Sequence, residues 1–206
     1  MAELLARVEA SGYHAVALTV DTQKYSRRER DVLARYSPRE AMAKAPNKRG
    51  PEPNFQERLT WADVEWLMKT VKIPVGLKGI MTPSDAKRAV DMGVKLIWVS
   101  NHGGRQLDQT QSTIDALPPI ADAVGGRAEI VIDGGFNRGT DVIKGLARGA
   151  RVVACGRTSV WGLAADGAEG VKAALAILRH EMQTAMGLSG RTKISDLTPD
   201  TVFRVD

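Results

Sequence analysis

The sequence alternates short runs of apolar and β-branched residues with longer segments that have helical periodicity. The apolar runs are nearly continuous, which is typical of strands that are buried on both faces of a parallel sheet. Because strand and helix patterns follow one another in turn, the sequence predicts an α/β fold with helices outside a parallel sheet. The predicted strands cover residues 14–20, 73–78, 95–99, 129–132 and 151–154.

The segments between these strands carry helix start and stop signals. Thr60 and Asp63 have the spacing of a capping box. Pro83 after Thr82, with Gly93 beyond the last periodic residue, favours a helix with proline in its first turn. Since parallel crossovers are right-handed, this order leaves two architectures open, a doubly wound sheet and a (β/α)8 barrel. The predicted helices cover residues 2–10, 61–71, 83–92, 112–124, 139–148 and 168–186.

Positive charge is concentrated in one irregular segment of the chain. The formal net charge is +5, whereas residues 24–49 hold nine Lys or Arg and three Asp or Glu, a local charge of 9 − 3 = +6. Three interpretations are open: a nucleic-acid surface, a solvated loop, and a loop that meets an anionic substrate. Only Tyr25 and Tyr36 interleave with the basic residues, which disfavours nucleic acid. Residues 36–58, which overlap this basic stretch, form the one long irregular segment, and a loop of that length in an α/β domain is typical of a functional or mobile segment.

Composition excludes several other classes of protein. With 43% hydrophobic and 26% charged residues, the chain is not predominantly disordered. No apolar run approaches the roughly 18 residues of a membrane helix. A single cysteine, Cys155, excludes a disulfide framework and a cysteine-built zinc site, and we expect no metal. The first residues lack an apolar signal core, so we expect a cytoplasmic protein.

Polar and charged residues follow every predicted strand at its carboxyl end. In both architectures, the carboxyl ends of parallel strands form the face that binds ligands. Five strands that all contribute polar residues to one face are hard to attribute to packing alone, so we predict an active site there. The residues are Thr19, Asp21 and Arg28, then Lys78, then Ser100, His102 and Arg105, then Asp133, Asn137 and Arg138, and finally Gly156 and Arg157.

Two glycine turns are candidates for a phosphate site. Gly134 and Gly135 precede the helix predicted from residue 139, and Gly156 precedes Arg157. Glycine lets backbone N–H groups approach an anion, and a helix N-terminus favours negative charge. The pair resembles the phosphate site that follows the last two strands of a barrel. Asp133 is a candidate acceptor for the hydroxyls of a sugar-like ligand, or an ordinary turn residue.

The run Ser-Asn-His-Gly-Gly-Arg contains a candidate base and a candidate anion ligand. His102 is suited to proton transfer near neutral pH, and Arg105 can bind a carboxylate through its planar fork. Asp21 is a candidate carboxylate that orients His102, as in the base–carboxylate pair of a catalytic triad. His14 and His180 lie within predicted elements and are interpreted as structural.

Lys78 ends an otherwise apolar strand. A lysine is costly to bury without a partner, so a functional role is favoured over a structural one. Two roles are open at this point: a Schiff base, or a positive charge beside an electron-rich cofactor ring.

These residues lie in motifs that resemble the FMN-dependent α-hydroxy-acid dehydrogenase and oxidase family. That family includes glycolate oxidase, lactate dehydrogenases and oxidases, mandelate dehydrogenase and flavocytochrome b2. The resemblance covers residues 14–197 and implies a (β/α)8 barrel that binds FMN and oxidises an L-2-hydroxy acid to the 2-oxo acid. The motifs are VDT (20–22), RRE (27–29), LTW (59–61), LKG (77–79), SNHGGRQLD (100–108), DGGFNRGTDV (133–142) and GR (156–157).

The resemblance implies roles for the catalytic and substrate-binding residues. His102 would take the proton of the substrate hydroxyl while flavin accepts the hydride, and Asp21 would stabilise the charged form of His102. Arg105 and Arg28 would bind the substrate carboxylate. The electron acceptor would be oxygen, a quinone or another redox partner, and nucleic acid would play no part.

The resemblance also implies a set of cofactor-binding residues. Lys78 would lie near the N1 and O2 atoms of the flavin, which removes the Schiff base from consideration. Thr19 and Ser100 would contact the flavin, and Asp133 would hold the ribityl chain. Where the family usually has arginine this chain has Asn137, so we expect weaker retention of the phosphate. The phosphate set is Gly134, Gly135, Asn137, Arg138, Gly156 and Arg157.

The length of the chain implies an incomplete barrel. Residues 1–206 correspond to the C-terminal part of the family domain, with about five βα units and a long basic loop at about 22–59. The part without a counterpart supplies three strands, a loop over the flavin and two substrate-binding tyrosines. We therefore expect exposed edges on the first and last strands, and either a homo-oligomer or a partner that supplies strands. The alternatives are a non-catalytic remnant, one chain of a split barrel, and a peptide-modifying flavoenzyme of the same family.

Overall fold

The computed structural model describes residues 1–24, 26, 28–36 and 56–203. Within these residues, five parallel strands form one sheet in which neighbouring strands are consecutive along the chain. This strictly sequential order has no position where the strand order reverses, which a doubly wound sheet requires. The order is that of a barrel, and the prediction of an α/β barrel type of fold is confirmed. The strands are β1 (Val16–Thr19), β2 (Val75–Ile80), β3 (Leu96–Val99), β4 (Glu129–Ile132) and β5 (Val152–Val153).

Helices connect the strands and cover one face of the sheet. Thr82 and Ser112 each accept a hydrogen bond from a backbone N–H of the first helical turn, and Thr60 forms a capping box with Asp63. No helix within the described residues is long and apolar enough to cross a membrane. The helices are α1 (Ala2–Ala10), α2 (Glu29–Leu33), α3 (Trp61–Thr70), α4 (Pro83–Asp91), α5 (Thr113–Val124), α6 (Gly139–Ala147) and α7 (Arg157–Leu188).

Two predicted boundaries are wrong, at the end of β2 and at the start of α7, and one helix was not predicted. Strand β2 continues to Ile80 instead of ending at Lys78, because a bulge at Gly79 shifts the register with β3 without ending the pairing. Helix α7 begins at Arg157, not at residue 168, and its backbone departs from helical angles at Asp166 and Gly167. The glycine there marks a break inside a longer helix rather than its start. Helix α2, which no sequence pattern predicts, lies within the long basic loop expected at about residues 22–59.

The core lies between the sheet and its helices. Leu77, Ile97 and Ile132 on the central strands are at most 1% exposed and pack with Leu117 and Ile120 of α5. On the opposite face of the sheet the side chains are less covered. Strands β1 and β5 each pair on one side only within the described residues, and Val152 of β5 is 50% exposed. The expected edges are therefore present. Tyr25, Arg27 and residues 37–55 of the predicted basic loop lie outside the described residues.

Helices α6 and α7 meet at a close contact that only glycine permits. A Cβ atom on Gly139 would lie 2.2 Å from the backbone N of Met182 and 2.6 Å from the carbonyl of Leu178. The Gly139 N–H donates to Glu181 at 2.8 Å, and Arg138 pairs with the same carboxylate at 2.9 Å. These two bonds hold the pKa of Glu181 below its ordinary value.

We predict that Gly139→Ala destabilises the fold because α6 must move away from α7. Overpacking of this kind costs about 1–3 kcal/mol. Gly187→Ala is the matched control, since Gly187 lies in α7, the helix that Gly139 contacts, and a Cβ there would meet nothing within 4 Å. The control should change the free energy of unfolding by no more than about 1 kcal/mol, in the stabilising direction. Urea denaturation of both variants measures the difference, and equal stabilities would contradict the proposed close contact.

Candidate active site

The carboxyl ends of β2 to β5 surround a cavity of about 490 Å³. This volume is within the usual range for ligand sites, roughly 300–1,000 Å³. The wall combines three cations and an imidazole with bare glycine backbone and apolar side chains. The lining residues are Lys78, Trp98, His102, Gly103, Arg105, Asp133, Gly134, Gly135, Phe136, Asn137, Ala154, Cys155, Gly156, Arg157 and Val160.

A buried network joins one residue from each of three adjacent strand ends. Lys78 Nζ donates to Ser100 Oγ at 3.0 Å, and Ser100 Oγ donates to Asp133 Oδ1 at 2.6 Å. Lys78 also pairs with Asp133 Oδ2 at 3.4 Å. The Ser100 side chain is fully buried. The Asp133 carboxylate offsets part of the cost of placing the Lys78 ammonium in a largely buried position.

His102 is paired with Asp21 as the sequence predicts. Nδ1 lies 3.1 Å from both carboxylate oxygens, and the Asp21 side chain is only 15% exposed. An ionised carboxylate can only accept, so the proton of a neutral His102 lies on Nδ1 and Nε2 keeps its lone pair. The backbone of His102 has a φ of +57°, an uncommon conformation for a residue with a side chain. The Ser100 hydroxyl, which accepts from His102 N–H at 3.1 Å, helps to hold it there.

Gly79 creates the space that Asp21 occupies. Its φ is +108°, and a Cβ atom there would lie 2.7 Å from both Cβ and Cγ of Asp21. The same residue forms the bulge in β2 that follows Lys78. Glycine at this position therefore permits both the bulge and the close approach of the Asp21 carboxylate.

The two arginines predicted to bind substrate are brought together by the loops after β1 and β3. Arg28 Nε donates to the backbone carbonyl of Arg105 at 3.4 Å. The Asp31 carboxylate lies 3.9 Å from Arg28 Nη1 and 4.0 Å from Arg105 Nη2. This shared carboxylate reduces the repulsion between two guanidinium groups that are held close together. Arg105 lines the cavity, and Arg28 is not among the lining residues.

The predicted phosphate residues divide into two groups. Gly134, Gly135, Asn137, Gly156 and Arg157 line the cavity. Arg157 Nη2 donates to the carbonyl of Gly103 at 3.2 Å, so its guanidinium lies against the loop that carries His102.

Arg138 is the exception among them. Its guanidinium pairs with Glu181 on α7 and is largely exposed, so the structure does not direct it into the cavity. Thr19 lies in register with Lys78 on the same sheet face, outside the lining of the cavity.

Sequence reasoning missed Trp98 and Cys155, which also line the cavity. The ring of Trp98 lies 5.4 Å from Lys78 Nζ, and its indole N–H is buried without a hydrogen-bond partner among the described residues. A period of two places residues 98 and 100 on one face of β3, so strand parity could have identified Trp98. Burial, and then Asp141, raises the pKa of the Cys155 thiol. Among the described residues, no cluster of three His, Cys, Asp or Glu side chains could hold a metal ion.

The fold and these side chains define an α/β barrel protein with a His–Asp pair beside a cavity lined by Lys78, Arg105 and Arg157. Comparison with known proteins narrows this class: the model of the FMN-dependent dehydrogenase family matches residues 1–204. The chain belongs to that family, as its motifs indicate. FMN is the cofactor of the family.

Relatives and solved structures agree with this membership. The chain is 43% identical to an L-lactate oxidase of Nostoc sp., over 97% of this chain and 59% of the relative. It is 41% identical to a peroxisomal (S)-2-hydroxyacid oxidase of Arabidopsis thaliana, over 98% of this chain and 59% of the relative. A crystal structure of mandelate oxidase superimposes with a TM-score of 0.83 at 39% identity, covering 96% of this chain and 57% of that one. The chain thus spans less than two thirds of the length of these proteins.

We predict that Gly79→Ala displaces Asp21 from His102. An alanine at position 79 would have an unfavourable positive φ and would also clash with Asp21. The free energy of unfolding should therefore fall by more than the roughly 1–2 kcal/mol of the backbone effect alone. Gly93→Ala is the control, because Gly93 has a φ of +99° but faces only the flexible end of Met68 at 3.3 Å. Urea denaturation gives the stabilities, and ¹⁵N NMR of the His102 ring reports the pair. Unchanged ring signals in Gly79→Ala would refute this prediction.

Proposed function

We propose that this chain carries the active site for FMN-dependent oxidation of an L-2-hydroxy acid to the corresponding 2-oxo acid. The observation that supports this most strongly is the His102–Asp21 pair. Asp21 contacts Nδ1 of His102 and leaves Nε2 available, and His102 lines the same cavity as Lys78 and Arg105. An imidazole base, an anion-binding guanidinium and a buried cation are the groups that this oxidation requires.

His102 acts as the base. Its Nε2 accepts the proton of the substrate hydroxyl, and the Asp21 carboxylate stabilises the imidazolium that results. Because Asp21 is only 15% exposed, its charge acts on His102 with little screening by water. When bound, FMN supplies the acceptor for the α-hydrogen and its two electrons. The proton and the electron pair therefore leave the substrate in different directions.

Arg105 binds the substrate carboxylate, and Arg28 supports it. Arg105 lines the cavity and is 48% exposed, so a ligand can reach it. A planar guanidinium can bind a carboxylate through two parallel hydrogen bonds, which fixes the orientation of the substrate. The orientation matters because the hydroxyl must reach His102 at the same time.

The cavity suits FMN. The buried Trp98 N–H lacks a partner among the described residues, and the backbone at Gly135 and Gly156 leaves open space where a Cβ would lie. Lys78, Ser100 and Asp133 would hold the flavin and ribityl portions, with Thr19 nearby on β1. Backbone N–H groups at Gly134, Gly135 and Gly156, together with Arg157, would hold the phosphate. Asn137 would add an uncharged contact to the phosphate. Arg138 would contribute only indirectly, through its ion pair with Glu181.

The substrates proposed for this chain are small 2-hydroxy acids. Relatives named for oxidation of lactate and of (S)-2-hydroxy acids, and a structural neighbour named mandelate oxidase, support this class. Their names as oxidases make oxygen the first electron acceptor to test, before quinones or a protein partner. A peptide-modifying reaction is less favoured because Arg105 suits a free carboxylate.

A second possibility is that turnover requires strands from another polypeptide or another copy of this chain. The partly exposed face of the sheet and the exposed Val152 on β5 favour it. Such a chain would bind ligands weakly alone and regain activity when the sheet is extended.

We predict that FMN slows modification of Cys155. The thiol lines the cavity, and it is the only cysteine in the sequence, so labelling is unambiguous. Since its pKa is raised, the thiol reacts slowly near neutral pH, and maleimide at pH 8.5 is a suitable probe. Mass spectrometry should show at least about fivefold slower labelling with FMN, but not with riboflavin at the same concentration if the phosphate turn contributes. Equal labelling rates with and without FMN would contradict the assignment of this cavity.

We predict that His102→Asn abolishes turnover without releasing FMN. Removing a general base typically costs about 10²–10⁴ in rate, whereas the phosphate turns and Lys78 are unchanged. Turnover of lactate, glycolate and mandelate with a dye acceptor, beside flavin absorbance of the purified protein, measures both effects. Loss of flavin together with turnover would show that His102 binds the cofactor and is not the base.

A further inference from the structure

We infer that Gln106 is a positioning residue that fixes the two substrate-facing loops against each other. This inference rests on the proposed function, because it concerns how Arg28, Arg105 and the His102–Asp21 pair are held in one arrangement. Gln106 lies in the loop after β3 and is half-buried.

Both the nitrogen and the oxygen of the Gln106 side-chain amide form hydrogen bonds with the loop after β1. Its Nε2 donates to the carbonyl of Asp21 at 3.2 Å and to the carbonyl of Lys24 at 3.2 Å. Its Oε1 accepts from Arg28 Nη2 at 3.3 Å and from Ser26 Oγ at 3.4 Å. One side chain thus contacts four residues of a segment that is far from it in sequence.

An amide is the group that this position requires. The two carbonyl oxygens need a donor, and the guanidinium and hydroxyl need an acceptor. A glutamine side chain offers two N–H donors and one oxygen acceptor, whereas glutamate offers acceptors only and methionine offers neither. The substitution Gln106→Glu would therefore place a carboxylate against two carbonyl oxygens even while it pairs with Arg28.

The geometric consequence reaches both arginines. Ser26 Oγ also donates to the carbonyl of Arg105, and Arg28 Nε approaches the same carbonyl at 3.4 Å. Gln106 directly follows Arg105 in the chain, so its hydrogen bonds fix the position of the Arg105 backbone relative to Arg28. The Asp31 carboxylate lies within 4.0 Å of both guanidinium groups and keeps them at a common distance. Loss of the Gln106 bonds would leave this arrangement without its connection to the backbone at Asp21.

Three variants of the full chain test the inference. Gln106→Met removes every bond at similar size, and Gln106→Glu retains only the acceptor for Arg28 and Ser26. Gln111→Met is the control, since Gln111 is exposed in the same connection between β3 and α5. Hydrogen exchange over residues 20–36 reports the tie between the loops, and calorimetry with oxalate reports the carboxylate site. Neither measurement needs turnover.

We expect faster exchange over residues 20–36 in both Gln106 variants, with no change over β3 and none in the control. Oxalate affinity should fall about tenfold in both, which corresponds to about 1.4 kcal/mol. With an active holoenzyme, KM should rise by a similar factor while kcat changes by less than about threefold.

Two results would overturn the inference. One is exchange and oxalate affinity in Gln106→Met equal to those of Gln111→Met. The other is wild-type behaviour of Gln106→Glu, which would mean that only the contacts with Arg28 and Ser26 matter, and not those with the carbonyls of Asp21 and Lys24. Absence of hydroxy-acid oxidation by the unchanged chain would count against the proposed function, whereas the exchange result would still decide the role of Gln106.

Discussion

The hydroxyl of Ser100 is shared by three groups that come from different parts of the site. It accepts from Lys78 and from the backbone N–H of His102, and it donates to Asp133. A hydroxyl has one proton and two lone pairs, so its whole capacity is used. The arrangement depends on the parallel register of β2, β3 and β4, because a slip of one residue would turn a strand's side chains to the helix-covered face. The sheet register and the geometry of the site are therefore one constraint.

Most basic side chains of the site lie beside a carboxylate, and two arginines extend to the exposed part of the cavity. Lys78 lies beside Asp133, His102 beside Asp21, and Arg28 and Arg105 beside Asp31. Burying the Lys78 ammonium without a carboxylate beside it would cost several kcal/mol, on the order of the desolvation penalty of an ion. Arg105 and Arg157 extend to the exposed part of the lining, where an arriving anion meets them first. An anionic substrate and an anionic cofactor are both compatible with this distribution.

The sequence predicts the positions of the strands and most of the cavity lining because both follow from local patterns, whereas the choice of a barrel came from the family resemblance. Buried strands read as continuous apolar runs, and the residues just beyond them meet at one edge of the sheet. Contacts between loops have no such pattern: nothing in the spacing of Gln106 and Lys24 predicts that they touch. The direction of Arg138 was missed for the same reason, since Glu181 lies 43 residues away on α7. The early start of that helix was missed because Gly167 reads as a boundary, whereas it only interrupts the helix.

The phosphate side of the cavity shows how this chain departs from its family motif. The motif leads one to expect an arginine at the position of Asn137, and the neighbouring Arg138 is drawn to Glu181, so neither supplies a cation inside. The Asn137 side chain accepts from Thr158 Oγ1 at 2.9 Å, which ties the first glycine turn to the start of α7. Backbone N–H groups and a helix N-terminus attract an anion whatever side chains flank them. Asparagine at position 137 therefore supplies no positive charge, but its bond to Thr158 fixes the distance between the two glycine turns. Among the described residues, Arg157 is the one cation that lines the cavity on this side.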